Sequence, residues 1–106
     1  MSLPAATETI QWGDNRVFKV GEKMFFVSGY APDSLYSFKV DDDRFLELSD
    51  LPGVRPAPYL ARARWVQVDA EHCVLSANEI HELVEHSYRI VFARLTKKKQ
   101  REINAL

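Results

Sequence analysis

Two runs of β-branched and aromatic residues, Arg16-Val17-Phe18-Lys19-Val20 and Met24-Phe25-Phe26-Val27-Ser28, stand either side of Gly21-Glu22-Lys23. Such residues fit a pleated, half-buried surface, and a short glycine-led break between them is the spacing of a tight hairpin. Antiparallel pairing is therefore written into the first third of the chain. Leu35 to Val40, entered through the turn formers Ala31-Pro32-Asp33-Ser34, adds a third consecutive strand and makes a meander. Thr9 to Trp12 reads as a further short strand ended by Gly13-Asp14-Asn15. Residues 1–8 read as coil, since Pro4 fits neither a strand interior nor a helix interior.

Helical signals follow. Asp41-Asp42-Asp43 ahead of Phe45-Leu46 and Leu48 supplies an N-cap and first-turn acids for a helix of two to three turns, which Leu51-Pro52-Gly53 stops. Two prolines make 54–58 extended and irregular. Tyr59 to Asp69 then alternates as a strand, with Tyr59, Ala61, Ala63 and Trp65 on one side and Arg62, Arg64, Val66 and Val68 on the other. The change from basic to apolar within the second set marks either a bulge or an end that leaves the sheet for water. Ser76-Ala77-Asn78-Glu79 is a capping box, and Ile80, Leu83, Val84, Ser87 and Val91 form one stripe at helical spacing. The expected helix covers 77–94, and Thr96 caps a short terminal helix through Ile103.

At 106 residues, with 46% apolar and 27% charged side chains, the chain holds material for one core. No apolar run is long enough to span a bilayer, the start lacks a signal-peptide pattern, and the single cysteine, Cys73, has no internal disulfide partner. The expected location is the cytoplasm. The net charge of −1 hides an asymmetry: −4 over residues 1–54 and +3 over 55–106. General attraction to polyanions needs an excess of Lys and Arg, so any nucleic-acid contact has to be local.

The motifs of phosphate-dependent and hydrolytic enzymes are missing: there is no G-x-S-x-G, G-x-x-x-x-G-K or G-x-G-x-x-G. His81 and His86, five apart on a helix, point about 140° from one another and do not grip one ion. His72 and Cys73 are neighbours that face opposite ways, and Cys73 reads as a structural thiol. Asp41, Asp42 and Asp43 are hard-cation donors by type, but a helix N-terminus accounts for them. Two basic clusters remain. Arg62 and Arg64 beside Trp65 suit phosphate binding and base stacking, against the plainer reading of a core tryptophan with solvated arginines. Lys97, Lys98 and Lys99 with Arg101 suit phosphate contact, against that of a solvated helix face.

Taken in order, several segments resemble the MmcQ/YjbR family: Ser2-Leu3-Pro4, Trp12-Gly13-Asp14, Val17-Phe18-Lys19-Val20-Gly21 with Lys23-Met24-Phe25, Leu51-Pro52-Gly53-Val54-Arg55-Pro56-Ala57, Trp65-Val66 with Val68, and Leu83-Val84 with Ser87-Tyr88, Val91, Leu95 and Lys97-Lys98. The resemblance implies one α+β domain over 1–106, an antiparallel sheet covered on one face by helices in the frataxin-like (CyaY-like) "double wing" manner. It also implies a bacterial-type DNA-binding or regulatory role without catalysis, cofactor or metal. Family members begin with an amphipathic helix, most of which this sequence lacks. The expectation is therefore a sheet face with exposed apolar area and self-association as a homodimer. For nucleic acid, the expected contacts are Lys23, Arg62, Arg64, Lys97, Lys98 and Lys99 on phosphates with Trp65 or Tyr59 stacking, giving weak, salt-sensitive binding to DNA. The rival expectation is a protein–protein or small-ligand module that uses the uncovered apolar face. A third has Asp41 to Asp43 hold iron.

Overall fold

The computed structural model describes residues 5–11, 15–28, 35–58 and 60–105. Six strands form one antiparallel sheet: β1 (Thr7–Gln11), β2 (Asn15–Val20), β3 (Lys23–Ser28), β4 (Leu35–Lys39), β5 (Val54–Pro56) and β6 (Trp65–Asp69). Their order across the sheet is β1-β2-β3-β4-β6-β5. Three helices accompany it, α1 (Asp42–Ser49), α2 (Ala77–Ala93) and α3 (Lys97–Asn104). The fold is α+β, as the sequence implied.

The β2–β3 hairpin closes on two residues rather than three, because Val20 already pairs with Lys23. Gly21 and Glu22 both have positive φ, 55° and 69°, the mirror-image turn whose twist matches that of the strands it joins. Gly21 also permits a close approach: a Cβ there would lie 2.7 Å from Leu95 Cδ1. β1 starts earlier than the proline suggested, since Thr7 pairs with Lys19 and Glu8 with Phe18. Asn15, expected in a turn, opens β2 opposite Gln11. The turns expected at 13–14 and 31–34, and Trp12, lie outside the described residues.

One irregularity organises the core. Phe18 pairs with Phe26 and Lys19 with Met24, so Phe25 is an extra residue on β3. A bulge of this kind turns two successive side chains to one face. Phe25 and Phe26 thus both face the helices: the Phe25 ring meets Tyr88 edge-on at 5.3 Å, and Phe26 lies 5.2 Å from Phe18. The bulge also opens the β3–β4 ladder. Phe26 pairs with Phe38, so Phe25 and Lys39 come next, and the hydroxyl of Ser87 bridges them. Ser87 Oγ donates to the Phe25 carbonyl at 2.6 Å and accepts from the Lys39 amide at 3.0 Å. Ser87 is fully buried, and this bridge satisfies strand groups that burial would otherwise leave unpaired.

α2 keeps its capping box, with Glu79 N–H on Ser76 Oγ at 3.1 Å and the glutamate reaching back to the Ser76 amide. Its stripe of Ile80, Leu83, Val84, Ser87, Tyr88 and Val91 is buried over β2, β3 and β4. α1 lies over β5 and β6, and its Leu48 joins the same core. Asp41 occupies the N-cap position without capping: its carboxylate instead meets His86 Nε2 of α2 at 2.7 Å. Beyond α2, the Gln100 side-chain amide donates to the carbonyls of Phe92, Ala93 and Leu95, closing the end of α2 and fixing α3 against it.

Two stretches correct the sequence reading. Val54–Pro56, expected to be irregular, is an edge strand, the position in a sheet that tolerates proline. The strand expected from Tyr59 is confined to Trp65–Asp69. Ahead of it Ala61–Ala63 is a 3-10 turn, and Arg64 has φ of 62°. Of the two readings of the basic-to-apolar switch, the segment leaving the sheet is the one observed.

Candidate nucleic-acid interface

Register places the candidate residues. Val20 pairs with Lys23 and Lys39 with Trp65, so the end of β2, the start of β3, the end of β4 and the start of β6 share one end of the sheet. The C-terminal end of α2 reaches the same end, where Leu95 packs on Gly21, and α3 follows it. Lys23, Arg62, Arg64 and Lys97 to Lys99 are therefore gathered at one end of the molecule, although up to 76 residues separate them in the chain. Asp69, Glu71, Glu79 and Glu82 lie toward the opposite end, with the start of α2. The separation is partial: Asp41 to Asp43 follow the end of β4, and Glu22 and Glu102 line a groove with Lys19 and Lys99, so acids are interspersed at the basic end as well.

At the basic end, Lys23, Arg62, Lys97 and Lys98 are exposed and Lys99 is half-buried. Lys19, not among the expected contacts, lines a groove of about 390 Å³ together with Lys99, Glu22, Glu102 and Ile103. The three lysines occupy the first turn of α3, against the helix dipole, which concentrates positive potential there. Arg64 is more constrained. Its guanidinium pairs with Asp42 at 3.2 Å and lies 5.4 Å over the Phe45 ring.

Trp65 does not stand ready to stack. It is 4% exposed and packs on the face of the sheet away from the helices with Val17, Val27 and Ala57, flanked by Met24 and Leu60. Alternation puts Trp65 on that face once Val66 and Val68 take the helical one, so the plainer reading of a core tryptophan is the one observed. Tyr59 lies outside the described residues. This small second core lies on the face away from the helices; on the helical face, where exposed apolar area was expected, a groove of about 340 Å³ is lined by Phe26, Tyr36, Ala70, Ile80 and Val84. Among the described residues the exposed large hydrophobics are Leu46 and Val74, both off the sheet.

The remaining chemistry-bearing side chains have structural partners. His72 meets Asp69 at 3.0 Å, His81 meets Glu85 at 2.9 Å, and Cys73 Sγ approaches the Leu75 carbonyl at 3.6 Å. Among the described residues no group of three His, Cys, Asp or Glu side chains is placed to hold a metal ion; Asp41 and Asp42 of the acidic run turn to His86 and Arg64. No described helix is long and apolar enough to cross a membrane.

The most unusual charge at this end was invisible in the sequence. Lys39 is 7% exposed, and its ammonium donates to the Ala63 carbonyl. Burial first, then the nearby Arg94 and Arg64 charges, hold its pKa below the ordinary 10.5, while Asp42 acts in the other direction.

Comparison with known proteins agrees with this architecture. The sequence model of the family described as YjbR matches residues 1–90. The Deinococcus radiodurans protein DR2400, a DUF419 domain of known crystal structure, is 29% identical with a TM-score of 0.84 over 97% of this chain and 80% of its own. A Pseudomonas syringae protein shares the fold at 24% identity and a TM-score of 0.65, over 80% of this chain and 86% of its own. No curated protein matches.

Proposed function

We propose, for a chain that belongs to the YjbR family, a non-catalytic DNA-binding or regulatory role exercised through the basic end of the sheet. One observation carries this reading. The fold collects Lys23, Arg62, Arg64 and Lys97 to Lys99 from distant segments onto one end of the sheet, with Lys23, Arg62, Lys97 and Lys98 exposed there. A chain of net charge −1 has no overall attraction for a polyanion, so the attraction comes locally from these gathered side chains. With Trp65 in the core, the contacts are to phosphates, which position a protein without selecting sequence.

The test is binding to a labelled duplex over a salt series. Each phosphate contact contributes about 0.9 to the slope of log K against log salt. R62A/R64A is expected to lower the slope by about 1.8 and K97A/K98A/K99A by up to about 2.7, for duplexes of any sequence. Binding unaffected by both sets of substitutions would sink the reading. Self-association is a second part of the proposal, supported by the apolar groove lined by Phe26, Tyr36, Ala70, Ile80 and Val84 on the helical face of the sheet. Sedimentation at tens of micromolar tests it, and a monomer there removes it.

A further inference from the structure

The arginine turn is held by a residue that does not face solvent. Arg62 and Arg64 flank Ala63 in a segment with few anchors: the Ala63 amide reaches Leu60 O at 3.1 Å, the Trp65 amide reaches Leu60 O at 3.3 Å, and the Val40 amide reaches Arg64 O at 2.8 Å. Arg64 has φ of 62°, a conformation that L side chains adopt only when the surroundings impose it. What imposes it comes largely from the end of β4. Val40 binds the carbonyl of Arg64, and the Lys39 ammonium binds that of Ala63. Lys39 is itself fixed from behind, its amide held by Ser87 of α2. A continuous path of hydrogen bonds thus runs from α2 through β4 to the carbonyl between the two arginines.

We propose that Lys39 is the positioning residue of the basic end: its buried ammonium holds the 61–64 turn, from which exposed Arg62 reaches a phosphate backbone directly and Arg64 reaches it by exchanging its Asp42 partner for phosphate. This rests on the polyanion-binding reading above and adds a residue to it that makes no contact with the ligand. A buried cation beside Arg94 and Arg64, offset only in part by Asp42, is an unfavourable choice for stability alone, since an apolar residue of similar volume carries no desolvation penalty. Retaining it is explained if the turn it holds has work to do. An arriving phosphate would relieve the crowding of positive charge, so binding and the hold on the turn reinforce one another.

The experiment compares wild type, K39M, R62A/R64A and K39M/R62A/R64A in the duplex salt series, with tryptic cleavage after Arg62 and Arg64 followed by mass spectrometry. K39M should lower the salt slope by as much as R62A/R64A, about 1.8, although it removes one buried charge, and adding it to R62A/R64A should change nothing further. Cleavage at the turn should accelerate at least severalfold in K39M. Wild-type binding and cleavage in K39M overturn the proposal. So does an additive loss in the triple variant, which would make Lys39 a phosphate contact in its own right. If wild type itself shows no salt-dependent binding, the polyanion reading fails instead, and faster cleavage in K39M separates that outcome from a failure of the hold. Where K39M gives no cooperative melt, Lys39→Gln, whose amide suits a site lined by carbonyl groups, is read in its place with the same outcomes.

Discussion

Replacing Ser87 by alanine removes one oxygen atom from the centre of the protein, and the structure says what that atom does. Its hydroxyl satisfies the Phe25 carbonyl and the Lys39 amide, two strand groups that the bulge at Phe25 separates. An unsatisfied buried backbone group costs about 1–3 kcal/mol, and two are exposed to that penalty. Alanine returns roughly 0.5 kcal/mol through its better helix propensity, so the expected net loss is about 1.5–5.5 kcal/mol. For a domain of this size that is roughly 7–25 °C in Tm. Urea unfolding at unchanged m-value is the assay, because a shift in midpoint alone reports stability rather than compactness. A second readout is amide exchange at Lys39, which should accelerate more than at Phe38. A loss below about 0.5 kcal/mol would show that β3 and β4 close on each other once the oxygen is gone, and that the bulge does not depend on α2.

Other positions test other parts of the fold. Gly53 has φ of 81° and an added Cβ would fall 2.5 Å from the Cys73 Cα, so G53A should destabilise by about 3 kcal/mol or more in the same urea assay. Glu22→Gly, at φ 69° in the mirror-image turn, should stabilise by about 1 kcal/mol; no gain would mean that Glu22 makes compensating contacts there. The depressed pKa of Lys39 makes the unfolded chain bind more protons than the folded one between the folded pKa and 10.5, so this residue contributes stability that rises with pH across that window. Thermal melts at increasing alkaline pH should show wild type gaining on K39M. From about pH 10 upward Tyr88, whose pKa is raised by burial, lowers the stability of both proteins equally, so the gain of wild type over K39M is not affected by it.

The elements whose determinants are local were legible in the sequence. The hairpin around Gly21, the helix started by the Ser76–Glu79 box and the terminal helix capped by Thr96 each carry their signal within a few residues. The 59–64 segment misled because alternating polarity is also what a 3-10 turn entering a buried strand presents, and nothing local announces a positive φ at an arginine. The basic residues of the site were legible as types, while their gathering at one end depends on strand register and on Gln100 fixing α3 to α2. Lys39 had no signal at all. In the alternation of Leu35, Ser37 and Lys39 against Tyr36, Phe38 and Val40, the lysine looks like a solvent-facing position, and only the 61–63 turn folding over it makes it an interior one.

The serine wedged at the bulge has a consequence for how the molecule comes apart. In many sheet-and-helix folds the helical layer can lift away with the ladder beneath it intact, exposing apolar surface but breaking no strand. Here a helix hydroxyl takes the place of a ladder bond, so α2 cannot detach without uncovering the backbone of β3 and β4 at Phe25 and Lys39, and those strands lose this bridge when they leave α2. The two layers should open as one cooperative unit, with the Lys39 amide exchanging only at the rate of global unfolding.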